Sequence, residues 1–156
     1  MQSTDKLVMI RPVNSAYNEE TAKNNFFQKN ISEQKEVLTL KAQKEFDDFV
    51  AVLQHAGVKV YVFDDIKENN TPDAVFPNNW ITFHSNGDVA LYPMFAENRR
   101  RERRMDILDA LEEQGLRFNK FYDYTEAENE GVFLEGTGSL ILDRVNKKAY
   151  CALSPR

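Results

Sequence analysis

The fold class is decided by the hairpin in residues 80–92, which read WITFHSNGDVALY. Two β-rich runs, Trp80 to His84 and Asp88 to Tyr92, flank the turn residues between them. The Asn-Gly pair in that turn is a strong signal for a tight antiparallel hairpin. A second hairpin is predicted over residues 139–153, with its turn at residues 143–148. Two such hairpins argue against a purely parallel, doubly wound sheet.

Helix and strand patterns surround the hairpins in a repeating order. Strands are predicted at residues 7–10, 58–63 and 118–122, and helices at residues 32–57 and 97–115. The predicted apolar stripes are Val37, Leu40, Phe46, Phe49, Val50 and Leu53 in the first helix and Met105, Leu108 and Leu111 in the second. The order strand, helix, strand, hairpin, helix, strand, hairpin is a repeat. We therefore predict an α/β fold of repeated strand-helix-hairpin units, in one domain over residues 1–156.

Composition narrows the function classes. The chain has 156 residues with 42% hydrophobic side chains, which suits one compact domain and disfavours intrinsic disorder. Its net charge of −5 disfavours a general nucleic-acid binder. A single cysteine, Cys151, excludes an internal disulfide, and its apolar neighbours predict a small core residue. No apolar run approaches the ~20 residues of a spanning helix, so we expect a soluble cytoplasmic protein without a membrane partner.

The first candidate binding segment is residues 72–80, Pro-Asp-Ala-Val-Phe-Pro-Asn-Asn-Trp. Asp73, Asn78 and Asn79 lie at the entry to a predicted strand. Such a rim can offer hydrogen bonds to a ligand while Phe76 packs beside it. The alternative is a capped turn, since Asp, Asn and Pro are all common turn residues.

The second candidate segment is residues 133–139, Phe-Leu-Glu-Gly-Thr-Gly-Ser. Glu135 ends an apolar run and is poised to accept a hydrogen bond from a buried partner, as a glutamate that orients a histidine does. Gly136 and Gly138 would allow close backbone approach. The alternative is a glycine-rich loop with an exposed acid. The segment is not a phosphate loop, because no Lys-Ser or Lys-Thr pair follows the glycines.

An arginine-rich run occupies residues 99–104, at the start of the second predicted helix. Cations there oppose the helix dipole unless some of them meet an anion, such as a substrate carboxylate. The alternative for most of these arginines is a solvated face paired with Glu97 and Glu102. His55 and His84 lack a metal-ligand spacing, so both are predicted to be structural and no metal site is expected.

Taken together, these segments resemble the guanidino-group-modifying superfamily of arginine deiminases, dimethylarginine dimethylaminohydrolases and amidinotransferases. The likeness is greatest to the bacterial amidinotransferase-like branch that includes citrulline hydrolases. The matching segments, in family order, are residues 9–12, 73–80, 91–94, 98–100, 134–139 and 153–156. The resemblance implies a five-bladed β/α propeller (pentein), of which this chain would form the amino-terminal half. It implies a small-molecule substrate and no cofactor.

The resemblance also implies a role for each matching residue. Glu135 falls where the family places the acid that holds the catalytic histidine. Asp73 falls on a substrate-contacting acid of the dimethylargininases. Arg99 and Arg156 fall where relatives bind the α-carboxylate of the substrate.

Asn78 and Asn79 depart from the pattern, because deiminases and dimethylargininases carry guanidinium-binding carboxylates there. A guanidinium is charged and favours an anion, whereas a ureido group is neutral and needs only donors and acceptors. The two amides therefore favour citrulline as the substrate, although Asp73 could still pair with a cation.

In this family a cysteine thiolate attacks the amidino or ureido carbon, and a histidine serves as acid and base. Both residues lie in the second half of family chains, and Cys151 matches an interior strand position instead. We therefore expect this chain alone to be inactive, and to self-associate or pair with a missing carboxy-terminal half. The alternatives are an amidinotransferase or arginine deiminase half, a non-catalytic module that binds arginine or citrulline, and, more distantly, an RNA-binding patch at the arginine run.

Overall fold

The computed structural model describes residues 3–22 and 34–154. They form a mixed α/β fold with small sheets and group into two compact units, Thr4–Phe76 and the chain from Pro77 onward. The strands are β1 (Lys6–Arg11), β2 (Lys59–Asp64), β3 (Ile81–Phe83), β4 (Val89–Leu91), β5 (Phe121–Asp123), β6 (Leu140–Asp143) and β7 (Lys148–Cys151). The helices are α1 (Glu19–Ala22), α2 (Lys35–His55), α3 (Glu97–Arg100), α4 (Asp106–Glu113) and α5 (Gly136–Ser139).

The first unit contains a parallel pair of strands joined through α2. β1 and β2 run in register from Lys6 opposite Lys59 to Arg11 opposite Asp64. A parallel pair needs such a crossover, and the predicted strand-helix-strand order supplies it. Arg11 donates two hydrogen bonds of 2.8 Å to the carboxylate of Asp47, which ties β1 to α2.

The predicted apolar stripe of α2 is largely wrong. Among the described residues of α2 only Val50 is buried, whereas Val37, Leu40 and Phe49 are exposed. A sheet of two strands is about 5 Å wide between strand axes, so it covers a narrow strip of a helix. The predicted start of this helix at Ser32 lies outside the described residues.

The second unit is built on the predicted hairpin. β3 and β4 pair antiparallel, and β5 adds to the other side of β4 in parallel. One face of this sheet packs against α4 in a core of Trp80, Ile81, Val89, Leu91, Met94 and Leu108. The turn at residues 84–88 closes with hydrogen bonds of 2.9 Å from the Gly87 and His84 amides. The hairpin prediction is therefore confirmed.

The second predicted helix is broken in two. α3 ends at Arg100 and α4 begins at Asp106, with Met105 exposed at the break instead of facing inward. Arg100 donates to the Met94 carbonyl at 3.0 Å, and Arg103 binds Glu128 at 2.7 and 3.0 Å. These contacts hold the intervening residues in a turn. A continuous helix would have pointed the Arg100 and Arg103 side chains in other directions.

The second predicted hairpin is present as β6 and β7, which form a separate two-stranded antiparallel sheet. Every residue of β7 is exposed, including Cys151. The prediction that Cys151 is a core residue is wrong, because no described element covers this hairpin. None of the helices in the described residues is long and apolar enough to cross a membrane.

Candidate active site

Glu135 is the most deeply buried carboxylate of the second unit, with 1% of its surface exposed. The Asn79 amide donates to its Oε2 at 3.0 Å, and the Phe95 backbone N–H donates to its Oε1 at 3.2 Å. Arg99 Nη1 lies 3.6 Å from Oε2. Donors to both oxygens fix the carboxylate in one orientation and offset the cost of burying its charge. The prediction that Glu135 accepts a hydrogen bond from a buried partner agrees with this geometry.

The glycines beside Glu135 let two backbone segments meet. A Cβ on Gly138 would lie 2.7 Å from Asn79 Cγ and 2.8 Å from its Oδ1. A Cβ on Gly136 would lie 3.0 Å from the Asn79 carbonyl oxygen. Real side chains do not approach so closely, so α5 can seat against residues 77–79 only with glycine at these positions. The predicted close backbone approach therefore exists, in a short helix instead of a loop.

Arg99 is buried together with Glu102. Its Nε and Nη2 donate to the two Glu102 oxygens, each at 2.9 Å, in a bidentate pair. The same guanidinium reaches Glu135, so one arginine is shared by two carboxylates. The alternative of a solvated arginine face is wrong for Arg99, since 3% of its surface is exposed.

Asp73 belongs to the first unit and is held by two residues that precede it in the chain. Asn18 donates to its Oδ2 at 2.7 Å and Thr21 donates to the same oxygen at 3.1 Å. Asn18 directly precedes α1, and Thr21 lies within it. The half-exposed Phe76 belongs to the same unit.

The remaining predicted site residues have different surroundings. The Asn78 side chain is exposed, and its carbonyl oxygen faces Thr137 of α5 at 3.4 Å. Arg156 lies outside the described residues. The second unit thus brings together Asn79, Arg99 and Glu135.

Sequence reasoning weighed Glu102 as a partner of the arginine run, but it missed Glu128. Glu128 accepts from the Met94 backbone N–H at 2.7 Å and from Arg103. The spacing of Arg99 and Glu102 on one helical turn was a usable signal for their pairing. Nothing local marks Glu128, because its partners are 25 and 34 residues away. Three or more His, Cys, Asp or Glu side chains suited to a metal ion do not cluster anywhere in residues 3–22 and 34–154.

Comparison with solved structures shows the same fold in larger proteins. The N-terminal domain of ArgZ bound to substrate, an arginine dihydrolase from the ornithine-ammonia cycle in cyanobacteria, is 16% identical with a TM-score of 0.62. That match covers 94% of this chain and 48% of the domain. AgrE in ternary complex with ornithine and NAD+ is 16% identical with a TM-score of 0.62, over 95% of this chain and 20% of AgrE.

The apo structure of ArgZ matches with 15% identity and a TM-score of 0.58, over 96% of this chain and 18% of ArgZ. The chain thus spans less than a fifth of ArgZ and about half of its N-terminal domain. A search of curated proteins finds no match. The family profile for eukaryotic N,N dimethylarginine dimethylhydrolases, however, matches residues 11–156. The predicted membership of the guanidino-group-modifying superfamily is confirmed, and the chain belongs to the N,N dimethylarginine dimethylhydrolase family.

Proposed function

We propose that this chain is the amino-terminal part of a hydrolase that acts on the ureido or guanidino group of an arginine-like amino acid, with citrulline as the preferred substrate. It supplies part of the substrate rim and the acid that orients the catalytic histidine. The thiolate and the histidine come from the remainder of the propeller, in which residues 1–156 form a single domain. The exposed Cys151 of β7 takes no part in the reaction.

The observation that carries this proposal is the buried, fully oriented carboxylate of Glu135. An imidazole that acts as acid and base needs a partner that fixes its tautomer and stabilises its charged form. A carboxylate held by Asn79, the Phe95 amide and Arg99 is preorganised for that role. A solvated glutamate would have to be desolvated and ordered first.

The orientation of the Asn79 amide supports a ureido substrate. An ionised carboxylate only accepts, so the amide nitrogen of Asn79 must be the atom that faces Glu135 Oε2. The amide oxygen then points away from Glu135 and can accept from a substrate NH₂. An uncharged acceptor suits a neutral ureido group better than it suits a guanidinium cation.

The second candidate substrate is a guanidinium such as arginine or a methylated arginine. Asp73 favours it, because this carboxylate is kept in place by Asn18 and Thr21 and would pair with a cation. ArgZ, an arginine dihydrolase, shares the fold. A deiminase or an amidinotransferase would use the same carboxylate.

Arg156 and Arg99 are proposed to bind the α-carboxylate of the substrate. Arg99 would have to bind the substrate and Glu102 at the same time, since its Nε and Nη2 both donate to the Glu102 carboxylate. A substrate carboxylate would compete with Glu102 for the same guanidinium.

The proposal is tested on the natural protein that contains this segment, by ammonia release and amino-acid analysis with citrulline, arginine and dimethylarginine. We expect the largest kcat/KM with citrulline. Asn79→Asp should shift the citrulline-to-arginine ratio of kcat/KM at least about tenfold toward arginine, the effect of one charge-assisted hydrogen bond.

Asn86→Asp provides the control, because it adds the same charge in the exposed turn between β3 and β4. The control should leave the substrate ratio unchanged. An unchanged ratio in Asn79→Asp, in an enzyme that retains activity, would refute the ureido assignment. Binding of citrulline without any product would favour a non-catalytic module instead.

A further inference from the structure

The face of the β3–β4–β5 sheet that is turned away from α4 carries aromatic and polar side chains. Ala90 lies opposite Thr82 on β3 and Tyr122 on β5, so these three side chains share one face. The alternation of a strand puts His84, Asp88 and the residues after β4 and β5 on the same face. Together with Asn86, and apart from Thr82, these side chains line a cavity of about 250 Å³. The cavity lies entirely within the second unit.

We propose that this cavity binds a small organic cation that carries a hydrogen-bond acceptor. Its lining includes Tyr92, Tyr122 and Tyr124, with Asp88 at the hairpin end and Ala90 as the floor. The site does not depend on the hydrolase function proposed above and uses none of its residues.

The aromatic walls suit a cation because ring faces attract positive charge. Tyr122 already does so, since the Lys120 ammonium lies 4.4 Å from its ring centroid. Tyr92 and Tyr124 stand with centroids 6.3 Å apart and ring planes tilted by 41°, which forms a corner of two aromatic walls. Asp88 is the one charged side chain in the lining. It adds a full negative charge at the opposite end of the cavity.

A chain of hydrogen bonds ends at the Tyr92 hydroxyl. A guanidinium only donates, so Arg144 Nη1, 3.1 Å from His84 Nδ1, makes that ring nitrogen an acceptor. A ring nitrogen that accepts carries no proton, so the ring is neutral. Burial and then the charge of Arg144 lower the pKa of His84, against the opposing effect of Asp88, which agrees with that form. Its proton is then on Nε2, which donates to Thr82 Oγ1 at 3.2 Å.

The buried Thr82 hydroxyl, which accepts from His84, then needs an acceptor for its own hydrogen. Its other described neighbour is the Tyr92 hydroxyl at 2.9 Å, and an unsatisfied buried donor is costly, so Thr82 donates to Tyr92. The Tyr92 hydrogen is left to donate to a ligand. Tyr92 and Asp88 are four strand residues apart, about 13 Å along the strand. The cavity therefore offers a donor at one end and a carboxylate at the other.

The test uses this chain and two ligands of equal shape, choline and its uncharged isostere 3,3-dimethyl-1-butanol. Binding is followed by the NMR shift of the Ala90 methyl group, which lies on the cavity floor. We expect a saturable shift with choline and an affinity at least about threefold weaker for the alcohol. Equal affinities, or no saturable shift with choline, would overturn the proposal.

Two variants assign the binding to the cavity. Asp88→Asn and Tyr124→Leu should each weaken choline binding about threefold. Asp109→Asn, which removes an exposed charge from α4, is the control and should leave the affinity unchanged. Asp88→Asn preserves shape and an acceptor, so it keeps the test decisive if Tyr124→Leu does not fold. Wild-type affinity in Asp88→Asn would show that the carboxylate does not bind the ligand.

Discussion

Arg99 is a buried guanidinium whose bidentate contact with Glu102 replaces the water that the group loses on folding. Removing Glu102 takes away the bidentate partner of this buried charge and leaves Glu135, at 3.6 Å, to compensate it. We expect Glu102→Ala to lower the free energy of unfolding by about 3 to 5 kcal/mol, measured by urea denaturation.

The control for that prediction is the exposed pair between Lys44 and Asp48. Asp48→Ala removes a carboxylate from a pair that water already screens, so its cost should stay within about 1 kcal/mol. Similar losses in the two variants would mean that the buried position of Glu102 has no special energetic weight.

His84 predicts a pH dependence of stability. Burial, first, and then the charge of Arg144 lower the pKa of His84 in the folded state. An ordinary histidine titrates near 6.5, so as the pH falls below that value the unfolded chain takes up the proton first. The contribution of His84 to the free energy of unfolding is therefore fully present above about pH 7, and it declines as the pH falls toward the folded-state pKa.

The two histidines of the chain allow a matched test of this pH dependence. His84→Gln should flatten the decline in unfolding free energy between neutral pH and the folded-state pKa. His55→Gln, at an exposed position at the end of α2, should leave that decline in place. A decline of unchanged size in His84→Gln would place its source elsewhere.

Single residues differ in how far the sequence predicts them. Glu135 was predicted to accept a hydrogen bond from a buried partner, because an acid at the end of an apolar run, followed by glycines, has a local signature. Arg99 was expected mostly to meet solvent or substrate, because its burial depends on α3, Glu102 and Glu135 packing together. That arrangement is set by contacts 36 residues apart along the chain, which a local pattern does not carry.

At the scale of elements, the break between α3 and α4 depends on Glu128. This carboxylate binds Arg103, the Met94 amide and, at 3.5 Å, Arg100. Glu128→Ala should cost about 2 to 3 kcal/mol in urea denaturation, the value of charged hydrogen bonds in a mostly buried setting.

Glu126→Ala is the control, since Glu126 is an exposed acid in the same short helix, Thr125–Glu130. It should change the unfolding free energy by no more than about 0.5 kcal/mol. If both variants cost the same, the carboxylate of Glu128 does not stabilise the turn between the two helices.

The hairpins and the helix break show which elements are predictable. The β3–β4 hairpin was predicted because a two-residue Asn-Gly signal determines the turn locally. The helix over residues 97–115 was wrongly predicted as continuous, because its apolar spacing suits one helix while distant side chains hold residues 101–105 in a turn. The spacing of apolar residues indicates which side of a helix would be buried, whereas tertiary contacts determine where the helix ends.

At the scale of the whole molecule, the order of six short segments was enough to predict the family. The composition, in contrast, did not predict which apolar side chains are buried. The β6–β7 hairpin is the clearest case. Ile141 lies opposite Tyr150, and both side chains are exposed on a sheet of two strands. An isolated two-stranded hairpin is marginally stable, and its open edges favour pairing with another chain.

This exposed hairpin predicts that the chain self-associates. Burying Ile141 and Tyr150 against a second copy would remove apolar surface from water at about 25 cal/mol per Å². Ile141→Lys should shift the sedimentation distribution toward monomer, because a charge at the contact would have to be desolvated. Val52→Lys, which places the same charge on an exposed position of α2, should sediment like the parent chain. If the parent chain sediments as a monomer at every concentration, the hairpin is stable without a covering partner, and the self-association prediction is wrong.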